Sequence, residues 1–192
     1  AGPASIRLPL RWAWSNLPVG NRRSYARLPS VGANLADLVT DSAVRSPDAP
    51  AIICADRTTS WSELERLVRA AAGGLTARGL LRGARVGLLV SNSLEFVVSY
   101  FGVLRAGLVA VPINTGYTEF EVRYLLEQSG AELLICDSTT SEVAAEATPG
   151  VPIVRIGSED WRRLLVGKNP PPMTPTDPEE LAVLMFTSGT SG

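Results

Sequence analysis

Histidine is missing altogether from this 192-residue chain, which closes imidazole general-base chemistry and histidine metal ligation to it. Lysine is reduced to Lys168 against 17 arginines, a ratio we read as a bias of the source genome and not as a mechanism. Cysteine occurs only as Cys54 and Cys136, each inside an apolar run. Two cysteines make neither a disulfide framework nor a zinc site, so they read as buried thiols of an intracellular protein, with the cytoplasm as the default. No apolar run approaches the roughly 20 residues that span a bilayer. The opening Leu8-Pro9-Leu10-Arg11-Trp12 is broken too soon for a secretory h-region. There is no internal repeat, no G-x-x-x-x-G-K-[ST] and no G-x-G-x-x-G after a strand. A net charge of −1 excludes a nucleic-acid binder or polyanion mimic.

What is present is enough for one core, with 45% hydrophobic residues. The charge is uneven. Arg7, Arg11, Arg22, Arg23 and Arg27 lie in the first 36 residues, which hold no acid, so the rest of the chain is acidic. Residues 1–33 are also broken by proline and carry Trp12, Trp14 and Tyr25. They read as an extension packed over the main domain. Arginine beside tryptophan also suits an anionic membrane surface, which makes peripheral membrane contact the alternative.

Residues 34–192 read as alternating helices and strands. Asn34 is expected to cap a helix that turns Leu35, Leu38 and Val39 inward and stops at Ser46-Pro47. A hairpin over 49–61 leads to a capping box of Ser62 and Glu65, and to a helix with Leu64, Leu67, Val68, Ala71 and Leu75 on one stripe, ending at Gly79. Strands are expected at 85–90, 108–113, 131–136 and 151–156. Between them lie a helix over 94–105 capped by Asn92 or Ser93, a helix opened by the Thr118/Glu121 capping box and ended by Gly130, and a weak helix over 137–147. Proline-rich residues 157–180 read as a stiff surface connector. The alternation predicts an α/β fold: an open, doubly wound, mostly parallel sheet with flanking helices.

The connector delivers the chain to Leu181–Gly192, LAVLMFTSGTSG. An apolar run bounded by small residues reads as a strand buried on both faces. The six residues after it combine hydroxyls with glycines. Glycines let backbone N–H groups turn toward one point, and hydroxyls add donors, which suits the anionic oxygens of a polyphosphate. A Ser/Thr/Gly stretch can equally be a solvated loop. The chain ends inside this loop, and we expect it to be part of a longer protein.

FTSGTSG, Phe186 to Gly192, resembles the phosphate-binding signature of the adenylate-forming superfamily: an aromatic residue, Thr-Ser-Gly-Thr, Thr or Ser, Gly, then Pro-Lys-Gly. That superfamily includes acyl-CoA synthetases, luciferases and peptide-synthetase adenylation domains. SNSLEFVVSYFGVLRAGLVAVPIN, Ser91 to Asn114, is similar to the helix and strand before the acyl pocket of acyl-CoA synthetases. The resemblance covers about 34–192 and implies the incomplete N-terminal part of a larger ligase. It implies Thr187, Ser188, Gly189, Thr190, Ser191 and Gly192 as the ATP-phosphate residues. It also implies Mg²⁺ and coenzyme A, held through residues outside this sequence. The lysine after the loop, the glutamate motif for Mg²⁺, the ribose-binding aspartate and the C-terminal catalytic lysine of the family are not among these residues, so no catalytic or metal-ligating residue is assigned, and the segment alone is expected to be inactive.

Asn92 and Asn114 flank the stretch similar to the acyl-pocket side but read more simply as a helix cap and a turn residue. Tyr100, Phe101, Tyr117 and Tyr124 read as core or domain-interface aromatics, and Glu119, Glu121 and Glu127 as a solvated, capped helix face. The implied reaction activates a carboxylic acid as an acyl-adenylate and transfers it to coenzyme A. LRAGLVAVPIN and GYTEFEVRYLLEQSGAELLI look more like fatty-acid ligases than amino-acid adenylation domains. The alternatives are a fatty acyl-AMP ligase, a peptide-synthetase adenylation domain loading a carrier protein, and a non-catalytic short form acting as a binding module.

Overall fold

The computed structural model describes residues 34–54, 57–148, 150–166, 177 and 179–186. Helix α1 (Asp37–Arg45) precedes an antiparallel hairpin, β1 (Pro50–Cys54) and β2 (Arg57–Ser60), and helix α2 (Trp61–Ala77). Then follow β3 (Arg85–Leu89), α3 (Leu94–Arg105), β4 (Val109–Pro112), α4 (Glu119–Ser129), β5 (Ala131–Cys136), α5 (Ser141–Ala147), β6 (Ile153–Arg155) and α6 (Glu159–Leu165). Strands β3 to β6 form one parallel sheet in the order β4-β3-β5-β6. Next to β4, Val183 makes a parallel bridge with Ala110: the Ala110 N–H donates to the Ala182 carbonyl at 3.0 Å and the Leu184 N–H to the Ala110 carbonyl at 2.9 Å.

Alternation along the strands divides the core between the two faces. Val86, Leu88, Ala110, Leu133, Ile135 and Val154 pack with α1, α2, α3 and α6. Leu89, Val111, Leu134 and Cys136 pack with α4 and α5. Both faces are covered, so the sheet is doubly wound as expected, and its strands lack polar alternation for that reason. Helix α4 carries the predicted capping box, and Gly130 closes it in the left-handed region at φ 63°, where a side chain would be strained.

Several local expectations are corrected. Asn34 is not a helix cap. It is buried, accepts from the Ala36 N–H at 2.8 Å and donates through Nδ2 to the Leu104 carbonyl at 2.6 Å, so it pins the start of the domain to α3. Of the leucine stripe on α1 only Val39 is buried, because α1 meets the domain along one narrow side. Helix α2 is capped by Ser60, which accepts from the Glu63 N–H at 3.3 Å, and not by Ser62. Glu65 is thereby freed for a tertiary contact: it takes Arg105 Nη1 at 2.8 Å in an ion pair exposed by only 5% and 13% on its two sides. Thr40 Oγ1 donates to the same carboxylate and accepts from Arg105 Nη2, so α1, α2 and α3 share one buried polar knot.

The stretch 157–180 is more than a connector. Ser158 caps α6 by accepting from the Trp161 N–H at 3.2 Å, and α6 buries Trp161 and Leu164 against α2. Residues 167–176 and 178 lie outside the described residues.

Candidate functional site

Parallel strands share a carboxyl edge, and an open α/β sheet gathers its ligands beyond that edge. Here the edge comprises Val90-Ser91 after β3, Ile113-Asn114 after β4, Cys136-Asp137 after β5 and Phe186 at the end of the segment bridged to β4. Thr187, Ser188, Gly189, Thr190, Ser191 and Gly192 lie outside the described residues. The structure does fix their approach: Ala182 and Val183 pack against the first core cluster and Leu184 and Phe186 against the second, so the residue before the loop stands at the carboxyl edge.

The approach differs from expectation in burial. Leu181 is 52% exposed and Met185 72%, so this is not a strand buried on both faces. It is paired to β4 through Ala110 alone, and among the described residues no strand pairs with its other side.

The sequence reading missed the residue that organises this edge, Asp137. Its Oδ2 accepts from the Ser91 N–H at 2.7 Å, and its Oδ1 accepts from the Thr139 N–H at 2.8 Å and the Thr139 hydroxyl at 2.6 Å. Thr140 Oγ1 donates to the Leu89 carbonyl at 2.7 Å. The ends of β3 and β5 are thus tied together where the winding reverses, since the β3–β4 connection runs one way along the sheet and the β4–β5 connection runs back past β3. Burial alone would push the Asp137 carboxyl up. The hydrogen bonds from Thr139 and Ser91 outweigh it and hold the group down at about 2. A carboxylate so fully engaged is a brace and not a general base. Asp137-Ser138-Thr139-Thr140 at the end of an apolar strand was a legible turn signal.

The remaining candidates divide. Ser93, and not Asn92, caps α3 by accepting from the Phe96 N–H at 3.1 Å. Asn114 is a turn residue whose Oδ1 accepts from the Gly116 N–H at 2.9 Å. Tyr100 stacks on Phe96 and meets Phe101 edge-on, and burial raises its hydroxyl above the ordinary value. Tyr117 packs against the second cluster, whereas Tyr124 is exposed on α4. Glu121 is fully exposed, and the backbone and side-chain hydrogen bonds of Thr118 hold it below the ordinary carboxylate range, as a cap. Burial, with the Asp137 charge beside it, pushes the Cys136 thiol up to about 11 against a weaker opposing effect of Arg155, so Cys136 is an inert core thiol.

Among the described residues no group of three or more metal-ligating side chains comes together, and no helix is long and apolar enough to cross a membrane. A cleft of about 330 Å³ opens at the opposite, amino edge, lined by Arg82, Arg85, Glu180 and Leu181 among others. Arg82 grips Glu180 there through a fork of hydrogen bonds at 2.6–3.1 Å. That ion pair fastens the start of the edge segment. By sequence, the six residues that follow Phe186 carry four hydroxyls and two glycines.

A family model described as AMP-binding enzyme matches residues 39–192. A medium/long-chain-fatty-acid–CoA/3-oxocholest-4-en-26-oate–CoA ligase of Mycobacterium marinum is 30% identical over 141 residues, 70% of this chain and 26% of the relative. A 3-hydroxybenzoate–CoA ligase of Aromatoleum sp. strain CIB is 34% identical over 155 residues, 76% of this chain and 30% of the relative. The phosphinothricin tripeptide synthetase PhsC of Streptomyces viridochromogenes is 31% identical over 192 residues, 94% of this chain and 18% of the relative. The solved fatty acyl CoA synthetase of Mycobacterium tuberculosis superposes with a TM-score of 0.69 at 28% identity, covering 81% of this chain and 32% of that one. The chain therefore spans less than a third of the length of these relatives.

Proposed function

The chain belongs to the AMP-binding enzyme family, and on that ground we propose that it is the N-terminal, phosphate-holding part of an ATP-dependent acid–thiol ligase. The parent activates a fatty or other apolar carboxylic acid as its acyl-adenylate, releasing pyrophosphate, and transfers the acyl group to coenzyme A. The observation that carries this reading is the parallel bridge of Val183 to Ala110, which brings Phe186 to the carboxyl edge immediately before Thr187–Gly192.

In this reading the loop's hydroxyls and N–H groups hold the triphosphate so that the acid's carboxylate attacks the α-phosphorus in line. That work is positioning and charge stabilisation, with no covalent step on the loop. The Asp137 brace fixes the ends of β3 and β5 on the same carboxyl edge to which Phe186 leads. No metal ligand is assigned among the described residues, and Mg²⁺, where bound in the parent, would neutralise charge on the phosphates. The 192 residues by themselves are expected to release no pyrophosphate when given acid and ATP.

The peptide-synthetase relative, matched along 94% of this chain, favours a second reading: an adenylation domain that loads a carrier protein. The experiment is acid-dependent ATP–pyrophosphate exchange by the full-length protein with fatty, aromatic and amino acids, with and without coenzyme A. Exchange with fatty acids, and an acyl thioester when coenzyme A is added, is expected. Exchange with amino acids alone selects the second reading, and no exchange with any acid overturns both. Ser188→Ala with Thr190→Ala is expected to slow exchange by roughly 100- to 1,000-fold, the cost of removing preorganised donors.

A further inference from the structure

The pairing of residues 181–186 with β4 stops after one bridge for a chemical reason. In β4 the odd-numbered residues bond to β3 and its approach: the Val109 N–H donates to the Ala84 carbonyl at 2.9 Å and the Ile113 N–H to the Leu88 carbonyl at 3.0 Å. The even-numbered residues face the other way, and Ala110 makes both of its bonds to Ala182 and Leu184. Continuing this ladder by two residues would set position 112 between Leu184 and Phe186. Position 112 is proline, which has no N–H to give to the Leu184 carbonyl. No hydrogen bond joins the Phe186 N–H to the Pro112 carbonyl either, so the pairing ends at Ala110.

Side chains hold the segment where the ladder does not. Ala182 and Val183 pack against one core cluster, Leu184 and Phe186 against the other. Beyond Leu184 the backbone therefore lies next to β4 without being bonded to it. We propose that Pro112 is a positioning residue for the nucleotide: by withholding one N–H it keeps Met185 and Phe186 out of the ladder, so that the residue before Thr187 can shift as phosphates are taken up. With an ordinary residue at 112, two further bonds would fix Phe186 at one height along β4. A ligand that needs another height would then have to break them, and its apparent affinity would fall by that factor. This inference rests on the reading of Thr187–Gly192 as the phosphate loop of an adenylate-forming ligase.

Pro112→Ala supplies the missing N–H, and Pro112→Val supplies it on a residue better suited to a strand. Pro112 is the last residue of β4, which ends the order of the four-stranded sheet, so neither variant is expected to unfold, and circular dichroism checks this. In the full-length protein, hydrogen–deuterium exchange resolved to single residues is expected to be about tenfold slower at Phe186 in both variants than in the wild type. That is the factor one or two net backbone hydrogen bonds supply. In acid-dependent ATP–pyrophosphate exchange the KM for ATP is expected to rise about tenfold while the KM for the acid stays unchanged, a split that a merely structural proline would not produce. Equal deuterium exchange at Phe186 in wild type and both variants would overturn the proposal. So would slower deuterium exchange with an unchanged KM for ATP, which would leave Pro112 as a strand terminator only. A wild type that exchanges no pyrophosphate overturns the ligase reading and this inference with it, and the wild-type assay alone identifies that case.

Discussion

Asp137 shows how one residue can be decisive without being catalytic. Its ordinary value is 3.8 and its folded value about 2, so the folded state favours the charged form. The resulting stabilisation is complete above about pH 4 and is lost as pH falls through 2, and with solvent screening of this part-exposed group it amounts to about 1 kcal/mol. Urea unfolding at pH 7 and pH 2.5 is expected to show this loss, and Asp137→Asn to lower stability at pH 7 while flattening the dependence. The Arg105–Glu65 pair is the other high-stakes residue contact. Arg105 Nε already has no partner, so Glu65→Ala, which also removes the carboxylate, leaves a buried cation unpaired. A loss of about 3–5 kcal/mol is expected in urea titration, whereas Glu65→Met with Arg105→Met costs less than the sum of the single changes. Neither contact was legible in advance. Glu65 stands three residues after Ser62 and reads as a capping partner until Ser60 takes the cap.

Among the elements, α6 depends on how closely another helix lets it approach. A Cβ added at Gly74 of α2 would stand 2.1 Å from the Leu164 carbonyl oxygen, so only glycine permits this contact. Gly74→Ala is therefore expected to displace α6 and lower stability by about 1–3 kcal/mol, the range for overpacking, despite alanine's better helix propensity. Thermal unfolding with near-ultraviolet dichroism, compared with a Trp161→Phe background to isolate that ring, reads both effects. Most elements could be read from the sequence because their signals are local. Helix α3 runs over the predicted 94–105, and the Thr118/Glu121 box and Gly130 bracket α4. Helix α6 was hidden because its seven residues carry no sustained period and lie beside prolines, and its stability comes from burying Trp161 and Leu164.

For the whole molecule, the segment Leu181–Phe186 is a sheet edge left open among the described residues. It exposes Leu181 and Met185 and is hydrogen-bonded to β4 on one side. An open apolar edge recruits other chains. The 192-residue chain in isolation is expected to associate with rising concentration in light scattering, and Leu181→Lys with Met185→Lys to suppress that association without unfolding the sheet. The same edge leads to the candidate phosphate loop, so what completes the edge also bears on the site.

The sequence alone determined the α/β class, the parallel winding and the family, because apolar runs, caps and a short Ser/Thr/Gly string are local patterns that survive without neighbours. Tertiary structure decided which residues meet. Asp137 reaches Ser91 across 46 positions, Arg105 reaches Glu65 across 40, and Val183 settles beside Ala110. Such contacts are set by strand order and helix packing, in which each partner satisfies a buried charge or backbone group that its own stretch of chain leaves open.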